Sequence, residues 1–520
     1  MTMMLAPAVP PGEPVAVPEP VRRRLAPLVP DRDGWSWVAA GVVTAIAAIV
    51  RLVDLGRPGH IVFDETYYAP NAYAMLRYGV EWNVPEGGAA PVDGAPVLGD
   101  GAAYVVHPPL GKWLIGFGEW IFGYDPLGWR IAAAVAGVVS VLLVTRIARR
   151  LFGSTVLGAA AGLLVALDGM HVVMSRTALL DIFLLLFIVA AFGALLLDRD
   201  TRRRRWLAAV EAGQERPAPA LPWWRFAAAG LLGCALAVKW SAIFFAPVFL
   251  LLALAWEVGA RRSAGVRQPW RDMFARESGN LATAVLIAPV VYLASWTGWL
   301  VTDHGYLRNS PADVQGAVGP AWLYGSVRNL VGYHQEVLGF HSGLDSAHPY
   351  QSAPWQWLLL GRPIAFHWSD QGSCGAENCA STVLLLGTPL LWWSFLPAVA
   401  VVAWLGLARR DWRAAPILLG AAAGIVPWFG FDDRVMFYFY ALPSEPFLVL
   451  AVVYLIGAVM VSGRGGSTLL GFDRRAVGAV LAGAYVMLVA LSFGYFYPIF
   501  TGQVIPYEAW QARMWLSTWV

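Results

Sequence analysis

The chain contains a series of apolar segments, each long enough for a membrane-spanning helix, and these constrain its fold more than any other feature. A helix needs about 20 residues to cross a hydrocarbon core ~30 Å thick. Such segments cover approximately 35–55, 128–149, 154–171, 177–197, 223–238, 240–258, 280–300, 383–407, 414–431, 435–461 and 476–497. With 58% hydrophobic and only 14% charged residues, the composition excludes a soluble domain. The sequence therefore predicts an all-α polytopic membrane protein with about eleven transmembrane helices.

The arginines predict the orientation of this bundle, because short basic loops stay on the cytoplasmic side of a membrane. Residues 1–33 are rich in Pro and Val and are expected to form a flexible cytoplasmic tail. With this tail inside, the arginine clusters of the short loops fall on one side: Arg146, Arg149 and Arg150; Arg202 to Arg205; Arg261, Arg262, Arg267, Arg271 and Arg276; Arg409, Arg410 and Arg413; Arg464, Arg474 and Arg475. A single tilted helix over 223–258 is the alternative, but it would divide these clusters between the two sides. The N-terminus is therefore predicted to be cytoplasmic and the C-terminus extracytoplasmic.

Two long polar segments fall on the outward side and divide the chain. Residues 56–127 form the first outward loop, which lies within an N-terminal transmembrane catalytic module over 34–300. Residues 301–382 form an extracytoplasmic loop region, and residues 383–520 form a C-terminal transmembrane module. Most of the polar part of the protein is therefore expected to face outward.

Charged side chains also collect at the predicted outward ends of the helices. An ionisable group at membrane depth is costly and marks a polar cavity or a functional site. The group comprises Arg130, Asp168, His171, Arg176, Asp181, Lys239, Asp432, Asp433 and Arg434. Their convergence predicts a water-accessible outer cavity, as chemistry on an anionic lipid substrate requires. The basic loops account for the net charge of +3 without a nucleic-acid partner.

Two adjacent acids stand at the start of the first outward loop, in the motif FDETYYAPNAY at 63–73. On an extended segment neighbouring side chains point in different directions, so one acid can contact an acceptor while the other orients a nearby cation. The alternative is a helix N-terminus, with Asp64 as the capping residue and Glu65 near the positive end of the helix dipole. From these residues alone both interpretations stay open.

The motif VVHPPLGKWLIG at 105–116 closes the same loop. Two prolines fix the backbone after His107, and Lys112 follows where an interfacial helix begins. Lys112 can bind a phosphate, while a lysine that extends its ammonium group to the membrane interface is the alternative.

The cysteines and three histidines carry further predictions. Cys374 and Cys379 lie in an outward loop, in a compartment where disulfides persist, so we expect them to be bonded. Cys234 lies in an apolar helix and is expected to be a core residue. The loop region also contains His334, His341 and His348 at intervals of seven, which on one continuous helix would share a face. The nearby Pro349 argues against such a helix, and metal binding is the less favoured alternative.

Five motifs in sequence order resemble one known family. The segments FDETYY, HPPLGK, GYDPLGWR, SRTALLDIF and HPYQSAPWQW are similar to the protein O-mannosyltransferase family, in its actinobacterial polyprenol-phosphate-mannose branch. The resemblance extends from about residue 36 to the end. It implies a type C glycosyltransferase fold with a catalytic acid pair in the first outward loop. It also implies transfer of mannose from polyprenyl-phosphate mannose to Ser or Thr of exported proteins, with inversion at the sugar carbon.

The resemblance and the motifs together give a set of candidate site residues. Asp64 is the expected catalytic base, and Glu65 is an orienting or second acid. Candidates for binding the donor phosphate or sugar are Arg130, His107, Lys112, Arg176, Lys239 and His348. Candidates for contact with the acceptor, or for support of the site, are Asp181, Tyr68, Tyr350 and Ser352.

Two other functions stay open alongside the protein mannosyltransferase. A related enzyme could transfer a sugar to a lipid or cell-wall glycan with the same acids. A transporter of lipid-linked sugars would distribute polar residues through the midplane instead of one side. No cofactor is expected, although an acid pair leaves a divalent metal as an alternative. The expected partners are polyprenyl-phosphate mannose, exported polypeptides, the protein export machinery and membrane lipid, with the site on the extracytoplasmic side of the cell membrane.

Overall fold

The computed structural model describes residues 17–28, 33–309, 325–431, 433–461, 468–469 and 472–520. Asp432 and Arg464, both used in the predictions above, lie outside these ranges. Within these ranges the first helices along the chain are α1 (Glu19–Leu25), α2 (Gly34–Leu52), α3 (Glu65–Tyr78), α4 (Leu110–Phe122), α5 (Pro126–Phe152), α6 (Thr155–Ala166), α7 (Gly169–Ser175), α8 (Asp181–Glu211), α9 (Trp223–Val238), α10 (Phe245–Ser263), α11 (Pro269–Ser295) and α12 (Thr297–Val301).

The remaining helices are α13 (Gly325–Ser342), α14 (Pro354–Trp357), α15 (Pro389–Arg409), α16 (Ala414–Ala423), α17 (Glu445–Val461), α18 (Arg474–Phe500) and α19 (Tyr507–Gln511). Short 3-10 helices cover Trp240–Phe244, Val426–Gly430, Tyr438–Ser444 and Ser517–Trp519. The strands are β1 (Ile364–Ser369), β2 (Cys379–Leu385), β3 (Thr468–Leu469), β4 (Phe472–Asp473) and β5 (Ile505–Pro506).

The described helices confirm a multi-pass membrane protein. Eight stretches are long and apolar enough to cross a membrane, and α6 with α7 forms a ninth that is bent by 64°. The shorter apolar helices α9 and α16 correspond to two further predicted segments. Each predicted segment thus coincides with a helix, while eleven complete crossings and the sidedness of the termini stay predictions.

Local sequence signals explain where the long helices begin and end. In α5 the Asp125 side chain accepts a hydrogen bond from the Gly128 N–H at 2.7 Å, and Pro126 occupies the first turn. The helix ends at Gly153, whose φ of +65° is a left-handed conformation that favours glycine. Gly118 of α4 lies so close to α5 that an added Cβ would come within 2.4 Å of the Gly128 carbonyl oxygen. Glycine is therefore required for the close approach of these two helices.

The fraction of buried residues distinguishes a central helix from a peripheral one. In the most apolar stretch of α8, 72% of the residues are buried inside the protein, whereas the corresponding value for α11 is 6%. The helix α8 therefore lies at the centre of the bundle, and α11 presents most of its surface to lipid.

The end of the bundle opposite the outward loops is held by ion pairs between arginines and acids. Arg225 contacts Asp198 at 2.8 Å, and Arg202 forms two 3.0 Å hydrogen bonds with the Glu277 carboxylate. The helix α1 also packs here, with Leu25 buried against neighbouring helices. This part of the predicted flexible tail is therefore ordered, because Leu25 packs on the bundle and Arg22 forms an ion pair with Glu211 of α8 at 2.9 Å.

The outward segment contains a small sheet, so the expectation of an all-α protein is wrong at this point. Strands β1 and β2 pair antiparallel, and β5 adds to the other edge of β2. Every residue of β2 is buried, and its last three residues, 383–385, belong to the apolar segment 383–407 that the sequence predicts to be transmembrane. The predicted disulfide between Cys374 and Cys379 is confirmed and closes the turn between β1 and β2.

Replacing both cysteines of this turn by Ser is expected to lower the free energy of unfolding by about 2 kcal/mol, because the crosslink restricts a short loop of the unfolded chain. The measurement is the thermal unfolding midpoint of the purified protein, with and without reductant. Cys234→Ala is the matched control, since Cys234 is a free cysteine and this variant should keep the sensitivity to reductant. A wild-type midpoint that does not change on reduction would contradict the prediction.

Candidate active site

The two adjacent acids of the first outward loop have different environments. Glu65 is fully buried, and each of its carboxylate oxygens accepts two hydrogen bonds. Oε1 accepts from the Arg130 Nε at 2.7 Å and from the Ala178 N–H at 3.0 Å. Oε2 accepts from the Arg130 Nη2 at 2.8 Å and from the Val62 N–H at 3.0 Å. Glu65 therefore anchors the loop and has no lone pair directed at a substrate.

Arg130 completes this anchor. Besides Glu65, its guanidinium donates to the carbonyl oxygens of Leu55, Pro58 and His60, at 3.4, 2.8 and 2.9 Å. All five N–H groups are thereby occupied, and the side chain is fully buried. This differs from the predicted contact of Arg130 with a donor phosphate, because no donor is left for a ligand. The packing instead places Arg130 where it holds the backbone of the loop that carries Asp64.

Asp64 is only partly buried and faces a different set of groups. Asp64 occupies the N-cap position of α3 and Glu65 its first turn, as the helix-terminus alternative predicts, but within the described residues the Asp64 side chain makes no capping hydrogen bond. Burial raises the pKa of Asp64 to about 6, while the Lys239 ammonium lowers it and the Asp181 carboxylate raises it. Asp64 is thus an available carboxylate whose pKa lies close to neutral pH.

The backbone before Asp64 is in an unusual conformation. Phe63 has a φ of +47°, a left-handed value that is rare for an aromatic residue. Its ring stacks on Phe366 of β1 at 4.4 Å and meets Phe439 edge-on at 6.3 Å. The sheet therefore packs directly against the turn that presents Asp64, and these contacts offset the backbone strain.

A buried ion pair connects the starts of two helices beside Asp64. The Lys239 Nζ lies 3.0 and 2.8 Å from the two carboxylate oxygens of Asp181. The same ammonium lies over the rings of Phe439 and Tyr440, at 5.3 and 5.5 Å from their centroids. The structure thus brings together three of the predicted residues, Asp64, Asp181 and Lys239.

A cavity of about 250 Å³ opens next to this pair. Its polar lining includes Asp181, Lys239, His107, His341, Arg434 and Tyr440. The two histidine rings stack at 5.4 Å. Burial lowers the pKa of both histidines, and the nearby cations Lys239 and Arg434 lower it further, so both are neutral at pH 7. The cavity therefore offers uncharged imidazoles and two cations, which suits a sugar phosphate.

Tyr68 of α3 lies beside the same group of residues. Burial raises the pKa of its phenol well above the usual value, and the carboxylates of Asp64 and Asp181 raise it further. Its ring lies 6.3 Å from that of His107. Tyr68 is therefore an un-ionised hydroxyl group near the predicted base.

Arg434 is the main functional candidate that the motifs did not identify. It was recognised only as a charge near a helix end, because it lies in no motif of the resembled family. Its Nη2 lies 3.4 Å from the His341 Nδ1 and 3.5 Å from the Tyr440 hydroxyl. Its Nε is buried without a partner, and among the described residues no carboxylate forms an ion pair with it. Arg434 is thus a cation available to an anionic ligand.

Arg434 also lines a second cavity of about 320 Å³. The lining is mostly polar and comprises Asp345, Gln351, Ser352, Ala353, Gln356, Asp433, Arg434, Val435 and Met436. Its two loops are joined by a hydrogen bond from the Ser352 N–H to the Met436 carbonyl oxygen at 2.9 Å. Ser352, one of the residues predicted to contact the acceptor substrate, therefore lines a cavity next to the first one.

Other predicted residues lie at the margin of these cavities. The His348 Nδ1 accepts from the Tyr350 N–H at 3.1 Å, and its ring meets Phe437 edge-on at 5.0 Å. Tyr350 packs under the Arg362 guanidinium. The helix α13 ends at Ser342, so His348 does not share its face, and the alternative of a three-histidine metal site on one helix is wrong.

Two predicted phosphate ligands instead support the backbone. Lys112 is buried, contacts Glu81 at 2.5 Å and donates to the His107 carbonyl oxygen at 2.8 Å. Arg176 donates to four carbonyl groups at the end of α2, those of Val50, Arg51, Val53 and Asp54. These contacts differ from the predicted phosphate binding, because helix ends and tight loops have unpaired carbonyl groups that a buried cation satisfies.

An apolar cavity of about 320 Å³ lies between α9, α10 and α11. Its lining is almost entirely aliphatic, and it shares Ile243 with the polar cavity. The helix α11, which lines this cavity, is little buried in its apolar stretch, so the cavity lies at the apolar surface of the bundle.

Known proteins are similar to this chain over nearly its whole length. A family model described as dolichyl-phosphate-mannose-protein mannosyltransferase matches residues 106–213, and one described as the C-terminal four TMM region of protein-O-mannosyltransferase matches residues 326–519. The polyprenol-phosphate-mannose–protein mannosyltransferase of Mycolicibacterium smegmatis (strain MKD8) is 40% identical over 99% of this chain and 97% of its own length. That of Mycobacterium tuberculosis (strain CDC 1551 / Oshkosh) is 39% identical over 95% of each chain.

A solved structure shows the same fold. The Saccharomyces cerevisiae protein O-mannosyltransferase Pmt1–Pmt2 complex, bound to its sugar donor, superposes with a TM-score of 0.70 at 15% identity. The superposition covers 96% of this chain and 94% of the yeast chain. The predicted type C glycosyltransferase fold is therefore confirmed for the arrangement of the helices.

Proposed function

This chain belongs to the polyprenol-phosphate-mannose–protein mannosyltransferase family, and we propose from this membership that it transfers mannose from polyprenyl-phosphate mannose to Ser or Thr hydroxyls of exported proteins. The observation that carries the proposal is the pairing of an available carboxylate, Asp64, with a cavity that contains an available cation, Arg434. We place the enzyme in the cell membrane, with about eleven crossings, a cytoplasmic N-terminus and the site on the extracytoplasmic side.

Asp64 is the proposed catalytic base. A Ser or Thr hydroxyl is a weak nucleophile until a positioned carboxylate accepts its proton in the transition state. The hydroxyl oxygen then forms a bond to the anomeric carbon of mannose. The bond from that carbon to the phosphate oxygen breaks, and the electron pair leaves with polyprenyl phosphate. Attack from the side opposite the phosphate inverts the anomeric carbon, so no covalent enzyme intermediate is required.

Arg434 is the proposed phosphate ligand. Its guanidinium lines the cavity without an ion-paired acid among the described residues, whereas Lys239 is already paired with Asp181. A preorganised cation in a partly dry site stabilises the charge that develops on the leaving phosphate. We assign the aliphatic cavity between α9, α10 and α11 to the polyprenyl chain. Because these cations supply the positive charge, we propose transfer without a metal cofactor.

The second, polar cavity is the proposed position of the acceptor polypeptide. Its carboxylate and amide groups at Asp345, Gln351, Gln356 and Asp433 offer hydrogen-bond acceptors and donors to a peptide backbone. Arg434 separates this cavity from the first, so donor and acceptor would meet beside one cation. Exported chains would reach this side through the export machinery.

The test of acceptor class uses membranes that contain the protein, radiolabelled polyprenyl-phosphate mannose and a peptide rich in Ser and Thr. We expect label in the peptide, and none with a peptide in which these residues are Ala. Label in the lipid extract without label in the peptide would instead favour the alternative of a lipid or glycan acceptor.

The pH dependence of transfer follows from the environment of Asp64. Its pKa is raised to about 6, so the rate should be half-maximal near pH 6 and level off about one pH unit higher, because only the carboxylate accepts a proton. Lys239→Met removes the cation that lowers this pKa and should move the acid limb to higher pH. Asp181→Asn removes a charge that raises it and should move the limb to lower pH. The measurement is the initial rate between about pH 4.5 and about pH 8, normalised to the amount of folded protein.

Equal profiles for the wild type and both variants would contradict this assignment. A shift of both variants in the same direction would do so too, because the two substitutions change the local charge with opposite sign. Each breaks a buried ion pair, so gel filtration of every variant is needed to confirm that it is folded.

A further inference from the structure

A polar cavity of about 820 Å³ lies at the arginine-rich end of the bundle, opposite the proposed active site. It is formed by the residues that follow α8 and by the turn between α10 and α11. Its charged lining comprises Arg216, Arg267, Arg271, Arg276, Glu215 and Asp272. Four arginines therefore face two carboxylates, and the cavity carries an excess of positive charge.

The carboxylate of Asp272 is already shared among several arginines. It contacts Arg216 at 2.8 Å, Arg261 at 3.0 Å and Arg276 at 3.3 Å. Among the residues that the structure describes, Arg271 reaches only the Gln268 side chain, at 3.5 Å. Arg267 makes no hydrogen bond or ion pair with any residue that the structure describes. The guanidinium groups of Arg267 and Arg271 are thus available to an anion.

The surroundings of this cavity place it at the membrane interface. The helix α11, which begins at Pro269, is the most lipid-exposed of the candidate spans. In its first turns Trp270 and Phe274 are 49% and 53% exposed and stack at 6.2 Å. Exposed aromatic rings at the end of a transmembrane helix lie at the level of the lipid headgroups. Arg271 on the first turn of α11, and Arg267 just before the helix, therefore lie where lipid phosphates are found.

We propose that this cavity binds the phosphate of an anionic phospholipid from the leaflet at this end of the bundle. Arg267 and Arg271 donate to the phosphate oxygens, for which the planar guanidinium has the matching geometry. The acyl chains lie along the exposed apolar face of α11. Basic pockets between transmembrane helices recognise anionic headgroups in this way. The site is separate from the mannosyl-transfer site and does not depend on that function.

The test uses the full chain in nanodiscs of phosphatidylcholine with phosphatidylglycerol as the anionic probe, and native mass spectrometry counts the lipids retained. The double variant Arg267→Gln, Arg271→Gln should bind phosphatidylglycerol about thirty-fold more weakly than the wild type. Neither arginine has an ion-pair partner among the described residues, so the variant should fold normally. The matched control is Arg409→Gln, Arg410→Gln, which removes the same charge at the same end but outside the cavity, and it should retain the lipid.

Two results would overturn the proposal. Equal loss of phosphatidylglycerol in the control variant would show that only the overall surface charge attracts the lipid. Displacement of the lipid by soluble glycerol phosphate at the same concentration would show that the cavity binds a soluble anion. Retention by the wild type and the control, with loss in the Arg267 and Arg271 variant, supports the site.

Discussion

Asp64→Asn is expected to reduce mannosyl transfer by roughly 10²- to 10⁴-fold, the usual contribution of a positioned general base. An amide cannot accept the hydroxyl proton, yet it has nearly the same size as the carboxylate it replaces. Because Asp64 makes no side-chain hydrogen bond within the described residues, the substitution breaks no structural contact. Donor binding should therefore stay close to the wild-type level. The measurement is single-turnover transfer from radiolabelled donor, together with donor binding to the purified protein.

The matched control is Asp100→Asn, an exposed acid in the same outward loop. It changes the loop charge by the same amount, far from the groups that surround Asp64, and should leave transfer unchanged. Full turnover by the Asp64 variant would show that Asp64 is not the base and would contradict the proposed mechanism. A loss of donor binding equal to the loss of rate would instead make Asp64 a binding group.

The sequence was sufficient to locate the acid pair but not to distinguish its two members. Both belong to one motif and differ by a single position in the chain. Their environments come from residues that are distant in sequence, such as Ala178 for Glu65 and Lys239 for Asp64. No periodicity or spacing reports such a contact. Only the folded structure shows that one acid is fully hydrogen-bonded and the other is available.

The predicted cations show a related difficulty. Charges near the outward ends of helices were interpreted as ligands, and Lys239 and His107 do line the cavity. Arg176 lies equally near, yet it binds carbonyl groups at the end of α2. A cation that caps a helix and a cation that binds a substrate have the same sequence signal, because both follow an apolar run. Arg434 belongs to the same group of charges but lies outside every motif, so the sequence does not distinguish it from its neighbours as a ligand.

The helices were predicted more reliably than the sheet, and the reason is physical. A membrane span needs a long apolar run, which is a strong signal, whereas β2 is a run of seven residues buried on both sides. The periodicity of such a short run does not distinguish a buried strand from the first turns of a helix. Pro389, at the first turn of α15, marks the true start of the helix that follows.

Glu65→Gln is expected to destabilise the protein by about 3–5 kcal/mol, because it breaks a fully buried ion pair. All four contacts of the Glu65 carboxylate are N–H donors, two from Arg130 and two from the backbone. A glutamine has one acceptor oxygen, and its NH₂ group must face two of these donors in either orientation. The similar size of glutamine therefore does not reduce the expected loss of stability. Arg130→Met should be similarly destabilising, since it leaves the carboxylate buried without its cation.

The measurement is the thermal unfolding midpoint of the purified variants, with Glu86→Gln, an exposed acid of the same loop, as the matched control. The control should unfold like the wild type. Transfer by the Glu65 variant should fall in parallel with its folded fraction, because Glu65 and Arg130 act through the position of the loop that carries Asp64. A Glu65 variant with wild-type stability but no transfer would contradict this positioning role. It would show that Glu65 takes part directly in the reaction.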